Sequence, residues 1–414
     1  MSDRITASER DILRTLAKQQ REYANLPVMA ERERLWYLHN HLQGERPMVV
    51  MEEDAFIKEM LPLLRCENAA ARQIEARLLQ TIAAHEQIGD DKVVPDFYAV
   101  FSDIDFDFLG PPRQRTSAQK GVGFHIDPVI ETLPEDLSKL RDTLYVYDKE
   151  KTERKIAAAQ DVLGDILPVV YKNNFVHWNF GITMWLLLLM GMENMFYAMA
   201  TEPESFHKLM RMATDDLIRC LRWQEENNLL TLNNGNDYLG SGSYCFNRVL
   251  PGADFAGTVR SANLWGHLNS QESVGISPGM FAEFIFPYYA ELAAQFGLVY
   301  YGCCEPVHAY WDNCLCNLPG LRKVSISAWC DEEMMGQRLQ SGRVIYSRKP
   351  SPNFLGVERA FDEQAFTAHI QKTAGLAKGC RAEFIFRDVY SLHGNPEKAR
   401  RAVEITRCIA EEMY

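Results

Sequence analysis

The densest run of reactive side chains is one nonapeptide, YYGCCEPVH, residues 300–308. Cys303, Cys304, Glu305 and His308 fall within six positions, directly after the apolar run GLVYY. Thiolate, carboxylate and imidazole are zinc donors, and a catalytic zinc keeps one coordination position open. On a continued strand, Tyr301, Cys303 and Glu305 share one face. Pro306 ends the strand, and the turn can return Cys304 or His308 to the same point. These four residues form a candidate zinc centre. A purely structural reading competes with it: cysteine packs as a small buried apolar residue, and His308 caps the following helix, VHAYWDNCLCNL. No C-x-x-C pair or H-E-x-x-H motif accompanies the cluster.

Such a cluster needs elements to hold it. Eight short apolar runs recur along the chain: MVVM (48–51), FYAVF (97–101), LPVVY (167–171), NLWGHL (263–268), GLVYY (297–301), KVSIS (323–327), RVIYS (343–347) and AEFIFR (382–387). Runs of this kind are strands buried on both faces. Most precede helical patterns, such as SPGMFAEFIFPYYAELAAQFG (277–297), with Ser277 as N-cap and Gly297 past the end. The alternation predicts an α/β fold, a (β/α)8 TIM barrel with inserted loops, over residues 46–414. Residues 1–45, charged and helical in pattern, form an N-terminal cap. An open doubly wound sheet is the alternative. Residues 229–249, rich in glycine and asparagine turns, read as a hairpin or loop laid over one end of the barrel.

Parallel barrels carry their chemistry at the carboxyl ends of the strands. There the chain places His267, the Cys303–His308 cluster, Trp329 with Cys330 and Asp331, Arg348 with Lys349, and Arg387 with Asp388. His177 and Trp178, in NNFVHWNF, can line a pocket for a flat aromatic molecule or pack beneath the next helix. Cys330 reads as barrel packing.

Composition narrows the classes. The chain has 414 residues, 47% of them hydrophobic, enough for a large core. Lysine and arginine total 44 against 56 acids, a formal charge of −12, which argues against a nucleic-acid groove. The charged N-terminus lacks the apolar segment of a signal peptide. The most apolar stretch, residues 180–196, meets Glu193 before it reaches membrane-spanning length and reads as a buried helix. The ten cysteines read as reduced thiols, five of them between 303 and 330. The expectation is a cytoplasmic protein with neither nucleic-acid nor membrane partner.

The succession SPGMFAEFIFPYY, GLVYYGCCEP, LPGLRKVSISAW, VIYSRKPSPNFL and EFIFRDVYSLHGNPEKARRAVEI resembles the uroporphyrinogen decarboxylase superfamily, in its methyltransferase-like branch. The resemblance covers residues 260–414 well and the earlier order of elements more loosely. It implies the same barrel. It also implies transfer of a methyl group from a small methylated substrate, an aryl methyl ether among the candidates, to the cobalt of a separate corrinoid protein. Zinc, or a general acid drawn from Glu305, Asp331 and Asp388, would assist the leaving group. Tyr301, His177, Trp178, His267 and Trp329 would line the substrate, and Arg348 or Arg387 would pair with a carboxylate. The branch's His-x-Cys zinc motif reads Tyr301-Gly302-Cys303 here, and its last-strand cysteine position reads Arg387-Asp388-Val389. Any zinc therefore needs a different ligand set. The first strand, GERPMVVMEED, lacks the arginine-rich decarboxylase motif, which argues against decarboxylation. No D-x-H-x-x-G cobalamin motif is present, so the corrinoid belongs to a partner. The helical cap suits a homodimer. Two alternatives stay open: a zinc-dependent thiol methyltransferase with methyl-corrinoid as donor, and a barrel of this kind that only binds a small molecule.

Overall fold

Each of the eight apolar runs forms a strand in the computed structural model, which describes residues 4–110, 115–117 and 124–413. They are β1 (Met48–Met51), β2 (Tyr98–Phe101), β3 (Val169–Lys172), β4 (Trp265–Leu268), β5 (Leu298–Tyr301), β6 (Leu321–Ile326), β7 (Ile345–Arg348) and β8 (Ala382–Phe386). Six of them pair in parallel in the order β1-β8-β7-β6-β5-β4, and β2 pairs in parallel with β3. The architecture is mixed α/β around a parallel sheet. Pairing of β1 with β8 sets the first strand beside the last. Among the described residues no ladder joins β1 to β2 or β3 to β4, so the hydrogen bonding does not close a barrel.

Strand parity sorts the side chains into two layers. Val49, Met51, Phe384 and Phe386 pack with Ala402 and Val403 of the last helix, Glu397–Glu411. Met48, Val50 and Ile385 face the opposite way, onto Trp36 and Phe246. That second layer also holds ionisable groups: Lys323 and Glu383 are fully buried and 3.0 Å apart.

The N-terminal residues are built into this body. Helix α1 (Ala7–Ala24) starts with a Thr6–Glu9 capping box and buries Leu13, Leu16 and Ala17 against Ile74, Leu78 and Val162. Helix α2 (Pro27–Asn40) brings Trp36 and His39 to the amino ends of the strands, where His39 Nε2 lies 3.0 Å from Glu383 Oε2.

Three expectations change. The segment expected over one end of the barrel instead runs through the interior as a hairpin, Tyr238–Gly240 with Ser243–Tyr244. Leu239 and Cys245 pack on Trp265 and Tyr300, and Ser243 Oγ donates to Glu383 at 3.0 Å. Glycine is required there: a Cβ on Gly242, at φ +83°, would sit 2.2 Å from Ile385 Cγ2. The apolar stretch 180–196 is two helices, Ile182–Met190 and Met192–Thr201, bent by 99° at Gly191, whose φ is +75°. Leu186 and Leu189 are fully buried in the core. No single helix among the described residues is long and apolar enough to cross a membrane. Likewise 277–297 divides into Pro278–Phe284 and Phe286–Ala293, because Pro287 has no N–H to continue the first helix.

Candidate functional site

The ends of β5 and β8 meet. Gly302, at φ +97°, breaks the strand's alternation directly after Tyr301. Cys303 and Cys304 then lie with their sulfurs 3.5 Å apart, and the Cys304 thiol donates to Asp388 Oδ2 at 3.0 Å. Asp388 itself has φ +59°, a strained backbone that sets its carboxylate on the rim. Arg387 reaches inward: Nη1 donates to Ser241 Oγ of the interior hairpin at 2.8 Å, and Nε lies 3.5 Å from both Glu52 and Asp388. That Nε makes no hydrogen bond. Glu52, one residue past β1, accepts a hydrogen bond from Tyr238 Oη.

The two thiols are electrostatically unequal. The neighbouring Cys304 thiol, helped by the Arg387 guanidinium and opposed by burial, lowers the Cys303 thiol. Cys303, burial and Asp388 raise Cys304. Of the two, Cys303 is the more acidic thiol, and Cys304 the one that keeps its proton in the hydrogen bond to Asp388.

A cavity of about 460 Å³ opens over these groups, lined by Glu52, Asp54, Trp178, Tyr238, Arg387, Asp388 and Tyr390. Trp178 is 39% exposed and Tyr390 is 64% exposed. The Arg387 guanidinium sits 5.6 Å from the centre of the Trp178 ring. A larger cavity of about 700 Å³ adjoins it along the unpaired β1–β2 seam and shares Glu52, Asp54 and Tyr238. His177 lines it, buried, with no partner for Nε2, and burial lowers its imidazole to about 3. His267 is buried beside Trp178, and burial lowers it to about 4. Its neutral ring has one N–H to share between the His177 carbonyl at 2.8 Å and the Gly302 carbonyl at 3.3 Å. It therefore positions Trp178 and the Gly302 turn.

Lys349 lies below the rim, buried, donating to Tyr300 Oη and to Ser347 Oγ at 2.8 Å. Burial without a close carboxylate lowers its ammonium to about 7.

Other expected site residues lie elsewhere. Glu305 is buried with both oxygens committed to backbone N–H groups, those of Ser270 at 2.9 Å and Cys303 at 2.8 Å, so it staples the turn rather than facing the cavity. His308 Nδ1 accepts from the Asp331 N–H at 3.2 Å. Asp331 is the N-cap of helix Glu332–Leu339, accepting from Met334 N at 2.9 Å. Tyr301 and Arg348 have the opposite strand parity and point into the helix layer. The Tyr301 hydroxyl is 2.6 Å from Ser270 Oγ, and Arg348 bonds the Ser327 carbonyl at 2.6 Å and Glu332 at 2.7 Å. Trp329 is 64% exposed and lines neither cavity. The expected quartet Cys303, Cys304, Glu305 and His308 does not converge. Among the described residues no three His, Cys, Asp or Glu side chains form a metal-ligand group.

Glu52 and Asp54 directly follow β1, a strand-end position that is legible in the sequence. Nothing local marked Tyr238, Ser241 or Tyr390, because they arrive from a hairpin and a loop whose paths are set by packing.

No protein-family model matches the chain, and no curated protein matches it. One similar solved structure is a methyltransferase from Methanosarcina mazei, 11% identical over 91% of this chain and 98% of that chain, with a TM-score of 0.49. At that distance the chemistry must be read from the site itself.

Proposed function

We propose that this protein is a methyltransferase, taking a methyl group from a small substrate bound at the rim of β1, β5 and β8. In this reading the strands form an incompletely closed (β/α)8 barrel, and the methyl acceptor is the cobalt of a corrinoid on a separate protein. The observation that supports it is the Cys304–Asp388 hydrogen bond, whose Asp388 lines the 460 Å³ cavity together with Arg387 and Glu52. Displacement at a methyl carbon needs an open approach on one side and control of the departing atom on the other. The exposed aromatic rim gives the first. Asp388 gives the second: fixed by the Cys304 thiol and lining the cavity, its carboxyl group orients the departing group. Of the three carboxyl groups expected as acids, Asp388 is the one that lines the cavity. Zinc from the resemblance does not fit the donors present, since Glu305 and His308 are bonded elsewhere. The reading therefore runs through side chains.

The test is a donor screen with a Co(I) corrinoid protein, following cobalt methylation by absorbance. Methylation dependent on this protein and reduced about 10²-fold by Asp388→Asn, through loss of donor orientation, is expected. Absence of methylation across ethers, amines, onium salts and thioethers sinks the reading.

A further inference from the structure

The walls of the rim cavity select a charge. Three carboxylates, Glu52, Asp54 and Asp388, face one guanidinium, Arg387. Arg387 pairs loosely with Glu52 and Asp388, its Nε 3.5 Å from each and without a hydrogen bond, so one cation against three acids leaves the wall net negative. The rest of the wall is aromatic. Trp178 and Tyr238 stand with ring centres 6.3 Å apart, Tyr390 projects from the β8 side, and one face of Trp178 already takes the Arg387 cation. Aromatic faces backed by carboxylates are the recognition chemistry of methylated ammonium groups.

We infer that the methyl donor of this site is a small quaternary ammonium cation rather than a neutral ether. The inference rests on the methyl-transfer reading and names its substrate. It also accounts for the missing ligand set. An ether oxygen leaves as an alkoxide and needs a proton or a Lewis acid. A quaternary nitrogen needs neither. The electron pair of the Co(I) acceptor forms the new bond to the methyl carbon, and the C–N pair returns to nitrogen. A neutral tertiary amine departs, no proton is exchanged, and the substrate's positive charge passes to the acceptor with the methyl group. The rim carboxylates hold the cation in place, and their hold weakens once the product is neutral, which favours release.

The probe pair is choline and 3,3-dimethyl-1-butanol, equal in shape and different in charge, titrated calorimetrically into the full-length protein. Choline is expected to bind at least about tenfold more tightly. Trp178→Leu and Tyr390→Leu should each remove most of that preference; Tyr390 is exposed, so its variant keeps the fold intact even if the Trp178 variant does not. Equal binding of the two probes, or no choline binding at millimolar concentration, overturns the inference. The corrinoid assay separates it from the broader reading. Methylation from neutral ethers without onium binding removes the onium site and keeps the methyltransferase. Choline binding with no methylation from any donor keeps the site and removes the methyltransferase.

Discussion

Replacing Glu383 by glutamine takes the negative charge out of a fully buried cluster. Glu383 Oε2 accepts from Lys323 Nζ, His39 Nε2 and Ser243 Oγ, each at 3.0 Å. Burial opposes ionisation, but the Lys323 ammonium and the His39 hydrogen bond overcome it and hold the carboxyl well below its usual range. In the variant, Lys323 keeps its charge without a counter-ion or sheds its proton. Deprotonating an ordinary lysine at pH 7 costs about 4.6 kcal/mol, which caps the penalty. Breaking a buried pair from one side costs about 3–5 kcal/mol, in agreement. For 414 residues the entropy of unfolding is about 0.9 kcal/mol/K, so the melting temperature should fall by about 5 °C. Urea unfolding measures the loss directly. The pH dependence is the sharper check. Burial lowers Lys323 already in the parent, opposed by Glu383. Without Glu383 it falls further, so the variant's unfolded state binds more protons than its folded state over a wider range, about pH 7 to 10. The variant therefore gains stability with rising pH, and its gap to the parent narrows by up to about 1.4 kcal/mol per unit. The double variant Lys323→Met, Glu383→Gln should recover more than half of the loss. A single-variant loss below about 1 kcal/mol, or a gap flat in pH, refutes the argument. Because Ser243 anchors the hairpin that carries Tyr238 to Glu52, the same variant should weaken choline binding.

Three further outcomes are expected. Gly242→Ala should cost roughly 2–4 kcal/mol in urea unfolding, since its Cβ would meet Ile385 at 2.2 Å on a left-handed backbone. Lys349→Met should flatten the rise in stability between pH 7 and 8.5. In the parent the folded ammonium, lowered to about 7, has lost its proton over that window while the unfolded one keeps it, worth about 2 kcal/mol. Asp388→Asn should speed iodoacetamide labelling of Cys304 several-fold at pH 8, read by peptide mass spectrometry, because the carboxylate is one of the groups raising that thiol.

Much of this molecule follows from short-range pattern. Apolar runs of four to six residues and their spacing determined all eight parallel strands, and the rule that chemistry gathers at strand ends marked Cys303, Cys304, Arg387 and Asp388, which do meet. Hydrophobic periodicity reports that a residue is in a strand, and it does so locally. Which face a residue takes is less local. Tyr301 and Cys303 looked equivalent by parity, yet the positive φ of Gly302 turns one toward the helices and the other toward the rim. Glu305 and His308 are suitable zinc donors by type, and tertiary neighbours, Ser270 and Asp331, claim them through backbone N–H groups.

The hairpin at 238–244 shows where sequence stops deciding. Its glycines announce a turn, but its course through the interior depends on Lys323, Glu383, Ile385 and Arg387, each more than 75 residues away in the chain. A buried ammonium and a buried carboxylate need hydrogen-bond partners, and the hairpin supplies them. That long-range demand, invisible in any window of sequence, is what brings Tyr238 and Ser241 to the site.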